Sequence, residues 1–475
     1  MSLTRREFLL RSFGALGAAT LAMERFGMTE AFAQAADYKA LVCIFLFGGN
    51  DSDNTLIPYD NYSQYAVKRN TSANVGIPQA SLFQINPPSL GARFGLHPAL
   101  DGIKSLWDLG KVAIVPNVGP LVEPITRNEY RNRLKRIPFN LFSHSDQETQ
   151  WQTAVANGFV STGWAGRTAD AISTLNGAAT FPMITTMAGI NILTTGSFRR
   201  PLALSPAPSS LDRVIRLDGF PNPPASLPGN PRYDAMVALQ AINDDYTMTG
   251  AVNSINSSTF QTMEALRNAG NAVPAPFPLN PRTGLGNQLE QVAKVIGLRD
   301  TLGLKRQIFF CSIGGFDTHG DQVNGNDATA GNHADLLARI DNAVTAFYNA
   351  TVGLGVANNV TLVTMSEFGR TYVPNGGLGT DHAWGNHSFV IGGAVNGGNC
   401  YGVVGPNGTV FPTLTAAGPN DTDSGGGARG RWIPTTAIDQ VAATLATWMG
   451  VPNADLPGVC PNIGNFGTAN LGFML

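Results

Sequence analysis

The chain has 475 residues, with 31 Lys and Arg against 33 Asp and Glu, a formal net charge of −2 and no basic block, which argues against nucleic acid as a partner. An apolar share of 43% excludes a disordered chain, and only 13% charged residues with 54 Gly and 30 Pro point to long ordered loops. Four cysteines without a C-x-x-C pair exclude a thiolate zinc site.

The first residues read as an export signal. Thr4-Arg5-Arg6-Glu7-Phe8-Leu9 resembles the twin-arginine motif, an apolar stretch follows over 12–23, and Ala31-Phe32-Ala33 offers small residues to a signal peptidase. The apolar stretch is shorter than the roughly 20 residues a bilayer needs. Residues 1–33 are therefore expected to be removed, by way of the twin-arginine export machinery, leaving a periplasmic or secreted protein with no membrane span in the mature chain. Residues 34–475 are expected to form one domain.

Beyond the signal, "ALVCIFLFGGNDSDN" reads as a buried strand, a Gly turn and then Asp51. "HPALDGIKSLWDLGKVAIVPNVG" predicts a helix and a strand over 111–116. "FSHSDQETQWQTAVANG" opens with serines suited to capping a helix. A Pro- and Ser-rich insertion is expected around 198–285, with helical patterns within it. Leu289, Val292, Ala293 and Ile296 share one helix face. A strand over 307–311, a helix carrying Leu336, Leu337, Ile340, Val344 and Phe347, a strand over 360–365, the strand "HSFVIGGAV" and a C-terminal helix in "PTTAIDQVAATLATWMG" complete the chain. Alternation of strands and helices predicts an α/β fold, a three-layer α/β/α sandwich around a mostly parallel sheet. Cys43 and Cys311 fall in strand runs. Cys400 and Cys460 fall in loops, where an oxidising compartment permits a disulfide.

Polar residues collect next to these strands. Asp51 and Asp53 follow the first, Ser143, His144 and Ser145 open a helix, and Asp317 and His319 lie in "GGFDTHGDQ" after the strand 307–311. Glu367 and Arg370 follow 360–365, and Asp381, His382 and His387 stand in "GTDHAWGNH" before the next strand. Carboxylates and imidazoles without cysteine suit a divalent metal, Zn or Mn foremost, with Ca or Mg as alternatives. Asp317, His319 and His387 are expected to form one site with an open position, with Gln322 or Asp321 orienting His319. Asp51, Asp381 and His382 offer a second. Arg370 has the planar fork to hold an oxyanion, and Ser143 or Ser145 a hydroxyl at a helix start. Competing readings at these positions are turn chemistry at Asp317, a surface loop over 381–387 and an internal Glu367–Arg370 ion pair. His97 and His333 are expected to be structural.

Taken together, "FLFGGND", "FSHSDQ", "GWAGR", "GGFDTHGDQ", "SEFGRT", "GTDHAWGNH" and "DQVAATLATWMG" resemble a family of twin-arginine-exported, sulfatase-like bacterial proteins of unknown function, placed in the alkaline phosphatase and sulfatase superfamily. The resemblance covers roughly 41–462. It implies an alkaline-phosphatase-like sandwich with a metal-dependent site at the strand ends, Asp51 as the acid after the first strand and a nucleophile near Ser143–Ser145. It also implies metal ligands among Asp317, His319 and a pair drawn from Glu367 or Asp381-His382. His144 and His387, read from the sequence itself, complete the candidate ligand set. No Cys or Ser followed by x-Pro-x-Arg is present, so formylglycine chemistry is not implied. The expected function is an exported metal-dependent hydrolase of phosphate or sulfate esters, acting on an anionic ester substrate through a serine or an activated water. The alternative is a non-catalytic binding or secretion-accessory protein on the same fold. A Ser-His-Asp esterase fits less well, because no G-x-S-x-G elbow occurs.

Overall fold

The computed structural model describes residues 37–211, 231–240 and 283–475, with scattered positions between 249 and 277. The expected signal segment and much of the expected insertion around 198–285 lie outside the described residues. Twelve strands are described: β1 (Lys39–Phe47), β2 (Leu56–Pro58), β3 (Phe83–Ile85), β4 (Phe94–Leu96), β5 (Val112–Gly119), β6 (Ile184–Thr186), β7 (Leu202–Ala203), β8 (Arg306–Gly314), β9 (Val360–Met365), β10 (Asn386–Gly392), β11 (Asn399–Cys400) and β12 (Thr436–Ala437). Nine form one sheet in the order β11-β5-β10-β9-β1-β8-β6-β7, with β12 also on β5, while β2, β4 and β3 form a small antiparallel sheet. The central strands are near-continuous apolar runs because both faces of the sheet are covered.

Alternation along β1 sorts its side chains into two cores. Ala40, Val42, Ile44 and Leu46 join one, and Leu41, Cys43 and Phe45 the other. Helices α1 (Asp101–Asp108), α4 (Gly284–Gly297) and α5 (Asn332–Gly353) cover the first face with Ile103, Leu289 and Leu337 among others. The second is covered by α2 (His144–Thr153), α3 (Trp164–Ala171) and α6 (Ile438–Met449), through Trp151, Trp164 and Val441. The result is a mixed α/β fold with a mostly parallel sheet flanked by helices. All four cysteines are free. Cys400 belongs to the first core and Cys460 to the second, so the sheet separates the two residues for which an oxidising compartment would permit a disulfide. Among the described residues, no helix is long and apolar enough to cross a membrane.

One strand decides where the site forms. β1 pairs parallel with β8 and β9, whereas β10 runs antiparallel to β9 and β5. The carboxyl ends of β1, β8 and β9 and the amino end of β10 therefore share one edge of the sheet. Phe47 stands opposite Gly314, and Phe45 opposite Met365, so the ends are in register. Residues just after three strands and just before a fourth are brought together there. Gly48 makes the approach possible: its φ is 118°, and a Cβ would lie 2.2 Å from the Asp317 backbone nitrogen.

Candidate metal centre at the strand ends

Asp317 stands three residues past β8, Glu367 two past β9 and His382 four before β10, while His144 is the first residue of α2. These positions converge. The Asp317 Oδ1 oxygen is 3.1 Å from His319 Nε2 and 3.2 Å from His382 Nε2, and the two imidazole nitrogens are 2.9 Å apart. His144 Nε2 lies 3.5 Å from Asp317 Oδ2.

The outer nitrogens fix the tautomers. His382 Nδ1 is 2.8 Å from the Phe142 carbonyl, which only accepts, so Nδ1 carries the proton. His319 Nδ1 is 3.0 Å from Asp381 Oδ1, a carboxylate that also accepts from Asn375 and pairs with Arg429. His144 Nδ1 is 2.8 Å from Glu367 Oε1, which also accepts the Gly48 N–H at 2.7 Å. In their neutral forms all three rings thus turn an Nε2 lone pair toward Asp317. Lone pairs this close repel unless a positive charge lies between them. A single shared proton can serve one such pair, whereas a multivalent cation satisfies three imidazoles and a carboxylate at once. The spacings suit a small divalent ion, since donors about 2 Å from a common centre lie roughly 3.3 Å apart in a tetrahedral set. A carbonyl or carboxylate on the far nitrogen is the usual support of a metal-binding histidine. The donor set therefore fits a divalent metal.

Asp317 and His319 are each 46% exposed, so the cluster opens to solvent and an external ligand can reach it. The hydrogen bond to Glu367 raises the His144 pKa above the usual histidine value, while burial lowers that of His382. Metal competes with protons at these nitrogens, and at His144 that competition starts above pH 6.5. Affinity for Zn²⁺, followed by titration with a competing chelator, is expected to fall about tenfold or more between pH 7.5 and 5.5. Constant affinity over that range would exclude imidazole ligation.

The remaining candidates lie elsewhere. Asp381 is the outer partner of His319, in place of Gln322 or Asp321. Gln322 instead donates to Asp51 Oδ2 at 2.5 Å and accepts from Thr318 and Thr380. Asp51 is fully buried and ion-paired with Arg69. Glu367 and Arg370 are not paired with each other. Glu367 holds His144, and Arg370 Nη1 donates to Asp317 Oδ1 at 2.8 Å. The Arg370 guanidinium is buried, and its other donors go to the Gly48 and Thr380 carbonyls and the Thr380 hydroxyl. It thus braces Asp317 from behind instead of facing a substrate.

His387 is not a loop residue. It sits in β10 where the register with β5 shifts, its Nδ1 accepts the Asn117 N–H, and its ring packs on Phe411. Burial depresses its pKa to about 4. Among the described residues, His144, Asp317 and His382 offer donor atoms within 4.8 Å of one another, as do His144, Glu148 and Glu367. His319 belongs to neither group and joins the cluster through its short distances to Asp317 and His382, while His387 and Asp51 have no place in it.

Ser143 takes the N-cap position of α2, but its hydroxyl donates to Asp146 Oδ2 at 2.5 Å. Ser145 Oγ is 3.4 Å away. His97 and His333 are structural, as expected: His97 Nδ1 accepts the Ala99 N–H, and His333 Nε2 meets Asn50 Oδ1 at 3.0 Å.

Residues the sequence did not single out complete the centre. Glu148 lies one helical turn past His144, a spacing visible in "HSDQE", and burial followed by the Glu367 charge pushes its carboxyl up to about 7. Arg429 pairs with Asp381 at 2.9 Å, and Arg431 Nε donates to the His382 carbonyl at 2.9 Å. Their only sequence signal is two arginines in the loop "GGGARGRW".

No curated protein matches this chain. Among solved structures, the lipoteichoic acid synthase LtaP of Listeria monocytogenes aligns over 90% of this chain and 76% of its own at 6% identity and a TM-score of 0.32. The PsFucS1 sulfatase of Pseudoalteromonas sp. aligns over 78% and 66% at 11% identity and 0.29. A mutant of the alkaline phosphatase PafA aligns over 70% and 63% at 12% identity and 0.23. Likeness at this level assigns no activity. The family described as Protein of unknown function (DUF1501) matches residues 38–411, and the chain belongs to that family.

Proposed function

We propose that the protein is an exported metal-dependent hydrolase of phosphate or sulfate esters. The observation that supports this most is the set of three imidazole lone pairs turned on one solvent-open carboxylate. Asp317, His319, His382 and His144 would hold the cation. Bound there, a divalent cation supplies Lewis acidity toward an ester oxygen and lowers the pKa of a nucleophile. Asp381, Glu367 and the Phe142 carbonyl keep each imidazole in the tautomer that ligates. Arg370 fixes the orientation of Asp317. Ser143 is the serine with a carboxylate partner, so Asp146 can take its proton if the hydroxyl attacks.

The test is a panel of phosphomonoesters, phosphodiesters and sulfate esters with added Zn²⁺, Mn²⁺ or Ca²⁺. Metal-dependent turnover of at least one class that is lost in Asp317→Asn supports the reading. Stoichiometric metal with no turnover across the panel would favour the non-catalytic alternative.

Export is part of the same proposal and rests on residues 1–33. Arg5→Lys with Arg6→Lys is expected to leave precursor in the cytoplasm. Mature protein arriving outside the cytoplasm at the unaltered rate would refute the twin-arginine assignment.

A further inference from the structure

Beside the centre lies an open cleft of about 470 Å³, lined by Tyr130, Arg131, Arg133, Asp423, Ser424 and Arg431 among others. Its charges are unequally matched. Arg431 pairs with Asp423 at 2.9 Å. Two neighbouring cations outside the lining are also matched, Lys135 with Glu129 and Arg136 with Glu123. Arg131 and Arg133 have no carboxylate within ion-pair distance among the described residues. Three guanidinium groups against one carboxylate leave the lining at +2 (3 − 1). Arg133 is held at φ 55°, a conformation that few residues other than glycine adopt.

The cleft is joined to the centre through covalent neighbours and short contacts. Arg431 donates to the His382 carbonyl, and its guanidinium lies 5.4 Å from the centroid of the Phe142 ring. The Phe142 carbonyl in turn orients His382. Arg429, two residues before Arg431, pairs with Asp381 behind His319. Asp421 holds this loop by accepting the backbone N–H groups of Asp423, Gly430 and Arg431. Arg431, which shares the cleft lining with Arg131 and Arg133, therefore has a defined position relative to His382.

We propose that this cleft is an anion subsite, and that the substrate is an ester carrying a second phosphate or sulfate group, which Arg131 and Arg133 bind while the first group lies at the metal centre. The inference rests on the hydrolase reading for the identity of the substrate, but the anion site can be tested without catalysis. Guanidinium groups bind phosphate and sulfate oxygens through paired, charge-assisted hydrogen bonds, and two unmatched ones lining the same cleft supply that recognition.

The experiment titrates inorganic tripolyphosphate into the EDTA-treated mature protein by calorimetry, so that a bound metal cannot hold the anion. Arg131→Ala with Arg133→Ala is expected to weaken binding by about tenfold or more, and Arg131→Lys with Arg133→Lys to restore part of it. Arg136→Ala, which removes a matched charge outside the cleft, should leave affinity unchanged. Circular dichroism and thermal melting verify that each variant folds. Equal affinity in the double alanine variant, or an equal loss in Arg136→Ala, would overturn the subsite. A parallel kinetic arm compares a bis-phosphate ester with a monoester of the same leaving group. KM for the former alone should rise in the double alanine variant, with kcat little changed. If tripolyphosphate binds as expected and no ester is turned over, the subsite stands and the hydrolase reading fails. If both esters are turned over and the double variant treats them as the parent does, the reverse holds.

Discussion

Asp317→Asn is expected to abolish stoichiometric metal binding, and His319→Ala to weaken it by at least about 100-fold, because each removes one of only a few donors that converge on the site. Asp317 is central: its two oxygens face all three imidazoles, so an amide in its place removes the negative charge on which the site depends. Asp381→Asn should cost about 10- to 100-fold, through the loss of the group that orients His319. Both Asp317 and His319 are half-exposed loop residues, so the variants should melt close to the parent when the parent is metal-free. His387→Gln is the control, since its imidazole is turned to Asn117 and Phe411. Metal content by mass spectrometry after gel filtration reads the outcome. Retention of one metal per chain in Asp317→Asn, or its loss in His387→Gln, would sink the assignment.

That control marks where the sequence stops being informative. The parallel sheet was legible because β1, β8 and β9 are apolar runs separated by amphipathic helices such as Gly284–Gly297. Asp317, His319 and Asp381-His382 were legible as polar groups next to strand ends. Their convergence follows from the antiparallel direction of β10, which sequence patterning does not encode, because a buried strand has the same composition either way. His387 looked like the last residue of a polar loop. The chain had already entered β10 at Asn386, and the register shift against β5 turns the imidazole into the core. Arg69 gave no signal, since it closes a short helix in which polar and apolar residues are evenly mixed. The Arg429–Arg431 pair was hidden in a Gly-rich loop whose path depends on Asp421, a residue with no pattern around it.

Arg69 carries the other large expected effect. It is fully buried at the end of the helix Tyr62–Arg69, and its guanidinium reaches Asp51, the Asn54 side chain and the Thr371 and Tyr372 carbonyls. It thereby ties the loop after β1 to the segment just past Arg370. Arg69→Met leaves Asp51 buried with Gln322 as its remaining side-chain partner, and its Oδ1 already lacks a hydrogen bond. Breaking one side of such a pair costs about 3–5 kcal/mol, much of it the penalty of an uncompensated charge. Urea denaturation should show that loss in Arg69→Met, and Asp51→Asn combined with Arg69→Met should recover a substantial part of it, because the stranded charge is gone. The same pair bears on the centre. The resemblance places a metal-binding acid at Asp51, whereas the structure places a guanidinium against that carboxylate. Asp51→Asn is therefore expected to leave metal stoichiometry unchanged even as it lowers stability. Its effect on the centre should be indirect, through Gly48, whose N–H holds Glu367 and whose backbone lies against Asp317. Arg69→Met within about 1 kcal/mol of the parent would show that the pair is not the brace described here. Loss of metal in a folded Asp51→Asn protein would return Asp51 to the ligand set.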